Sequence, residues 1–187
     1  MKKFNSESLI NSLGADLGEI ILQSGKLQSL PVSKLEYSPG PASWSIAQVL
    51  EHLNVYARHY ITEIEKKLHF HHTSPEENFR SGWLGNYFSN LMKPATGQQP
   101  VKKMKAPKNA LPSASPDAKA MLEEFIAHQH HLSNLLQISR HANLRKIRVP
   151  TSLSSMIQLK LGDTFRFVIA HEQRHFQQIQ RLVDCSS

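Results

Sequence analysis

The sequence predicts an all-α protein, a four-helix bundle around a single core. Two observations carry this. Four stretches of more than twenty residues repeat apolar side chains at three-and-four spacing, the mark of a helix with one buried face. Alternating strand patterns are nearly absent, the run Lys146-Ile147-Arg148-Val149 being the exception. Four amphipathic helices of similar length bury their stripes most simply against one another.

The first helix is expected over about 5 to 28, with Leu9, Ile10, Leu13, Leu17, Ile20 and Leu27 on its stripe and Pro31 stopping it. A breaker cluster follows, Ser38-Pro39-Gly40-Pro41. Ser45 with Gln48 three residues on is a capping box, and it opens a second helix that runs to about His69. Its stripe is Ile46, Val49, Leu50, Leu53, Tyr56, Tyr60 and Ile64. His52 lies on that stripe, and His59, a heptad later, roughly shares its side. His69, His71 and His72 fall at the helix end and are expected at the surface.

From about 72 to 115 the pattern is irregular apart from a short helix around Trp83 to Met92. The basic, proline-rich connection from about 93 to 116 carries Lys102, Lys103, Lys105 and Lys108. Ser115-Pro116-Asp117 then reads as cap, first-turn proline and first-turn acid for a third helix reaching about His141. Of His128, His130 and His131, only His128 is placed to face inward. A short helical turn is expected over about 153 to 159, and the last helix from Leu161 or Asp163 to about Leu182.

Length and composition agree with this frame. A chain of 187 residues is expected to form one domain over 1–187, with a core large enough to need no staples. The 40% hydrophobic and 20% charged fractions are those of an ordinary globular protein. The single cysteine, Cys185, forms no internal disulfide and suits a reducing cytoplasm. Lys2 and Lys3 are not followed by an apolar run, so a secretory signal is not expected. No window reaches the about 18 apolar residues of a membrane span, so no membrane partner is expected.

The last helix carries the chemistry. His171 and His175 sit four residues apart on the stripe of Phe165, Val168, Ile169, Phe176 and Ile179, so both imidazoles point inward. Burying two polar rings without partners is costly, and one metal ion would satisfy both. With 11 histidines in the chain, such a pair also arises readily by chance, and two separately hydrogen-bonded core histidines are the simpler alternative. The stretch His171-Glu172-Gln173-Arg174-His175 also spells the zinc-protease pattern. That pattern needs a third ligand downstream, and after His175 there is no histidine and only the acid Asp184. In the extended pattern the positions of glycine and the third histidine hold Gln178 and Arg181. A third ligand must therefore come from upstream. Glu172 is a candidate general base or supporting partner, or a surface residue, since it points about 100° away from His171.

Trp44-Ser45-Ile46-Ala47-Gln48-Val49-Leu50-Glu51-His52-Leu53, taken with His171 to Ile179, resembles the DinB-like family, which includes the YfiT-type metal-dependent hydrolases and bacterial thiol-dependent transferases. The resemblance implies a bundle with an up-down-down-up course and a long crossover between the second and third helices. It implies one divalent metal, nickel or zinc, held by His52, His171 and His175, and a homodimer. It also implies a small-molecule substrate, met either by a metal-acidified water or by a low-molecular-weight thiol. Two other classes compete with this metal-dependent hydrolase or thiol transferase. One is a non-catalytic metal-binding bundle closed by a fourth ligand such as His59 or His128. The other is a nucleic-acid module using the lysines from Lys102 to Lys108. The net charge of +7 and pI near 9.6 permit the last. The lysine tract lacks aromatics to stack on bases, so nucleic acid is not the expected partner and a solvated loop is. Arg58 and Arg174 are expected to be solvated.

Overall fold

The computed structural model describes residues 2–41, 43–70, 72–94 and 105–185. Four long helices dominate: α1 (Ser6–Leu27), α3 (Ile46–Phe70), α5 (Ala118–Ile138) and α6 (Leu161–Cys185). Two short ones, α2 (Val32–Glu36) and α4 (Trp83–Met92), lie in the connections. Each start has a local cause. Asn5 caps α1 by accepting from the Ser8 amide. Ser45 and Gln48 close the expected capping box with both reciprocal bonds, 3.0 and 3.2 Å. At α5 the cap is Asp117, which accepts from the Ala120 amide, so the helix begins two residues later than Ser115 as cap would place it.

The contacts fix the direction of every long helix. Asn54 meets Met121, Arg58 meets Glu124 and Glu65 meets His131, so α3 and α5 advance together and run parallel. Asn11 meets Arg140 while Gly14 packs on Gln137, so α1 opposes α5. His52 meets His171 and Tyr60 meets Phe167, so α6 opposes α3. The course is up-down-down-up. Parallel neighbours require the connection between them to return the length of the bundle.

The core is a single cluster from all four long helices, with Leu17, Ile46, Leu50, Phe125, Leu136 and Phe165 fully buried. Two small antiparallel ribbons flank it. β1 (Lys3–Asn5) pairs with β2 (Asn78–Arg80), and β3 (Arg148–Thr151) pairs with β4 (Ser154–Lys160). The second ribbon replaces the helical turn expected over 153 to 159. Val149 and Leu159, cross-strand partners, bury on its inner face, so period-two burial overrides local helical preference.

At the head of α6 a buried polar cluster pins α4 to the bundle. Asp163, wholly buried, accepts from Ser81 Oγ (2.5 Å), the Gly82 amide (2.7 Å) and Arg166 (2.8 Å). Arg166 also donates to Ser81 and Asn86. Gly85 has no room for a side chain, because a Cβ there would lie 2.4 Å from Asp163 Cβ.

Candidate metal centre

His52 on α3 and His171 and His175 on α6 converge on one point between the two antiparallel helices. One ring nitrogen from each lies within 4.8 Å of the others. Among the described residues no other group of three histidine, cysteine or acidic side chains is so placed. His52 and His171 are buried and His175 is partly exposed. Neither His59 nor His128 joins them. His59 Nε2 lies 3.1 Å from the Pro150 carbonyl oxygen. His128 contacts Asn54 and Glu124 at the α3–α5 seam, a departure from the inward placement expected of it.

The outer nitrogens of His52 and His175 are tied off. His52 Nδ1 lies 2.6 Å from the Ala110 carbonyl, which can only accept, so Nδ1 carries the proton and donates. His175 Nδ1 lies 3.0 Å from Gln178 Oε1, which accepts from it in the same way. The Nε2 lone pair of each ring is left available. His52 Nε2 then faces His171 Nε2 at 3.4 Å. Two nitrogens on one tetrahedral zinc at about 2.0–2.1 Å stand about 3.3–3.4 Å apart, so this pair already has the spacing of two ligands of one ion.

Electrostatics keep the rings neutral. Burial is the largest cause of a lowered pKa at all three. His171 falls well below its ordinary value, depressed further by His175 and His52, and His175 falls to about 3. His52 is lowered by burial against the opposing hydrogen bond to Ala110. Neutral imidazoles with protonated outer nitrogens are the form in which histidine binds a metal. The donor set therefore fits a borderline divalent ion.

The walls are aromatic. Trp44 and Tyr56 each pack 5.1 Å from the His52 ring, and Tyr56 lies 4.6 Å from His171. Phe167 stacks on His171 with its plane tilted by 2°. Burial raises the Tyr56 hydroxyl to about 12, so it is a neutral donor.

Glu172 is not at the surface. It is 2% exposed and accepts from Gln129 Nε2 on α5 at 3.0 Å, across the bundle rather than toward the histidines. Burial lifts its carboxyl to about 8 against that hydrogen bond. Its Oε2 and Gln129 Oε1 are buried without a hydrogen-bond partner. Arg58, expected in solvent, makes a two-pronged pair with Glu124 at 2.6 Å. Lys102 and Lys103 lie outside the described residues.

Ala110 is the supporting residue that pattern reading missed. It belongs to the crossover, and that segment is stitched to α3 through Gln48, Glu51 and His52. Gln48 donates to the Ser113 and Ala114 carbonyls, Glu51 accepts from the Ser113 amide, and His52 donates to Ala110. A backbone acceptor 58 positions away leaves no trace in a motif.

Comparison with known proteins agrees with this fold. Among solved structures, YfiT from Bacillus subtilis matches with a TM-score of 0.57 and 13% identity, covering 95% of this chain and 87% of that one. That protein is described as a probable metal-dependent hydrolase with an unusual four-helix bundle topology, and at this identity the likeness speaks to the fold. No curated protein matches the chain. The DinB superfamily matches residues 24–179, which takes in the second capped helix, the crossover and both histidines of α6. The chain belongs to the DinB superfamily.

Proposed function

We propose that this protein is a metal-dependent hydrolase of small molecules, with His52, His171 and His175 holding one divalent ion, nickel or zinc. One observation carries the reading: three neutral imidazoles converge with two of their outer nitrogens already occupied by Ala110 and Gln178. A divalent ion on three neutral ligands keeps its full charge and supplies an acidified water or activated thiol at its open position. The chain's own residues do the rest. Ala110 and Gln178 hold two ligand rings in the binding tautomer. Trp44, Tyr56 and Phe167 keep bulk water from His52 and His171. The Tyr56 hydroxyl, neutral at physiological pH, can donate to a polarised substrate oxygen.

Glu172 is a weak candidate for general base, because a buried carboxyl raised to about 8 is protonated at neutral pH. Its bond to Gln129 supports a role in seating α6 behind the ligands. A thiol-dependent transferase uses the same open position and is the competing reading. The whole chain is taken as one domain acting in the cytoplasm, with a homodimer as the proposed assembly.

The test is elemental analysis of protein purified without an affinity tag, beside His171→Ala. About one nickel or zinc per chain, lost in the variant, supports the site. Ester and amide substrates with and without added thiols then separate hydrolysis from transfer. No metal in either protein, with reconstitution failing, would sink the reading.

A further inference from the structure

The two ribbons carry like charges in directly opposed positions. Lys3 pairs with Arg80 across β1–β2, and Arg148 pairs with Lys160 across β3–β4. Opposed like charges destabilise a strand pair. Among the described residues Lys3, Arg80 and Arg148 make no ion pair that would relieve this. The ribbons are also joined, because Lys160 Nζ donates to the Arg80 carbonyl at 2.6 Å. Lys3, Arg80, Lys160 and Arg148 thus form one continuous cationic row. Each cross-strand pair stands about 5 Å apart, and the Lys160 side chain bridges the gap between the two pairs. Burial and the nearby Arg148, Arg145 and Arg80 charges depress the Lys160 ammonium against the opposing charge of Asp163.

An aromatic platform adjoins the row. The Lys160 stem lies against Gly82, the residue before Trp83. Trp83 is 76% exposed and stacks on Tyr87, itself 53% exposed, with planes 15° apart. Asn5, Asn78 and Gln158 share the outer faces of the ribbons with the cations. A run of cations, three of them without an ion pair among the described residues, with amides between them and stacked aromatics at its flank suits a flexible polyanion that carries planar rings.

We propose that the outer face of the two ribbons, with Trp83 and Tyr87, binds single-stranded nucleic acid. The four cations contact about four phosphates and the aromatic pair takes a base. The site is separate from the histidine triad and stands whether or not the triad binds metal. It also differs from the Lys102 to Lys108 tract, since it pairs cations with aromatics.

The experiment is fluorescence anisotropy of a labelled mixed-sequence 12-nucleotide DNA strand against the full chain, from 50 to 200 mM salt. Four phosphate contacts on a single strand give a log–log slope of about −2.8, a weakening of about 50-fold over that range. Arg80→Ala with Arg148→Ala should lower the slope to about −1.4. Trp83→Ala should weaken binding about 5- to 150-fold and leave the slope unchanged. His171→Ala should bind as the parent does. These side chains are exposed, and matching thermal unfolding curves establish that the variants fold. No binding at 50 mM salt overturns the proposal, as does a slope unchanged in the double arginine variant. Preferential binding to vesicles containing phosphatidylserine overturns it in favour of a lipid surface.

Discussion

Replacing Glu172 by glutamine should stabilise this protein at neutral pH, by an amount that grows with pH. The folded chain holds the carboxyl at about 8, against an ordinary value of 4.5, because burial penalises its charge. Between those values the unfolded chain releases the proton and the folded chain keeps it. The folded state then binds more protons, so stability falls as pH rises, by about 1.4 kcal/mol per pH unit. From 4.5 to 7 that amounts to about 3 kcal/mol against the fold. Glutamine has nearly the same shape, keeps the oxygen that accepts from Gln129 Nε2, and adds an N–H on the side where Glu172 Oε2 and Gln129 Oε1 are unpartnered. Urea unfolding of chelator-treated protein at pH 5.5, 7 and 8.5 reads the difference. Glu172→Gln should gain about 1 kcal/mol over the parent at pH 5.5, about 3 at pH 7, and level off above pH 8. A difference independent of pH would show that Glu172 ionises in the folded state as it does in the unfolded one, and would refute the argument.

Further outcomes follow from the same structure. His52→Ala and His171→Ala should each abolish stoichiometric metal binding, and zinc at 100 times its Kd should stabilise the parent alone by about 2.7 kcal/mol in thermal or urea unfolding. In the metal-free Glu172→Gln background the three histidines dominate the acid side. Their folded pKa values lie below 6.5, so their contribution is full above pH 6.5 and is lost as pH falls through the folded values, toward about 3 for His175, which acid titration by circular dichroism will show. Glu51→Ala removes the acceptor for the Ser113 amide and loosens the segment that presents Ala110, so zinc affinity in chelator competition should fall about 10-fold with the fold intact. Gly85→Ala forces a Cβ to within 2.4 Å of Asp163 and should cost at least about 2 kcal/mol in urea unfolding.

Apolar periodicity located all four long helices within a few residues, because each buries one face along its whole length. The Ser45–Gln48 box was legible because both of its bonds are local. The convergence of His52, His171 and His175 was legible through motif resemblance, since helical spacing marks the α6 pair but says nothing of a partner 119 positions away. Of the β3–β4 ribbon only the start of β3 was legible, in the alternating run Lys146-Ile147-Arg148-Val149. Its strands are short, and Met156 and Leu153 break the alternation by standing exposed. The bond from Gln129 to Glu172 escaped for a related reason: residues 43 positions apart on diagonal helices show no shared period. The destination of a backbone carbonyl such as Ala110 cannot be read from residue types at all.

His52 and His171 stand 119 residues apart and meet at 3.4 Å. An ion clasping both would turn α4, the crossover, α5 and the second ribbon into one closed loop, with α1 left outside it. Closing a loop of that length removes about 4–5 kcal/mol of chain entropy from the unfolded ensemble, on the scale of a long-range disulfide. The ion would thus act as a reversible substitute for a covalent cross-link, set by metal supply rather than by redox poise. Gain of the ion would leave α1 as the only long helix free to detach without breaking the loop.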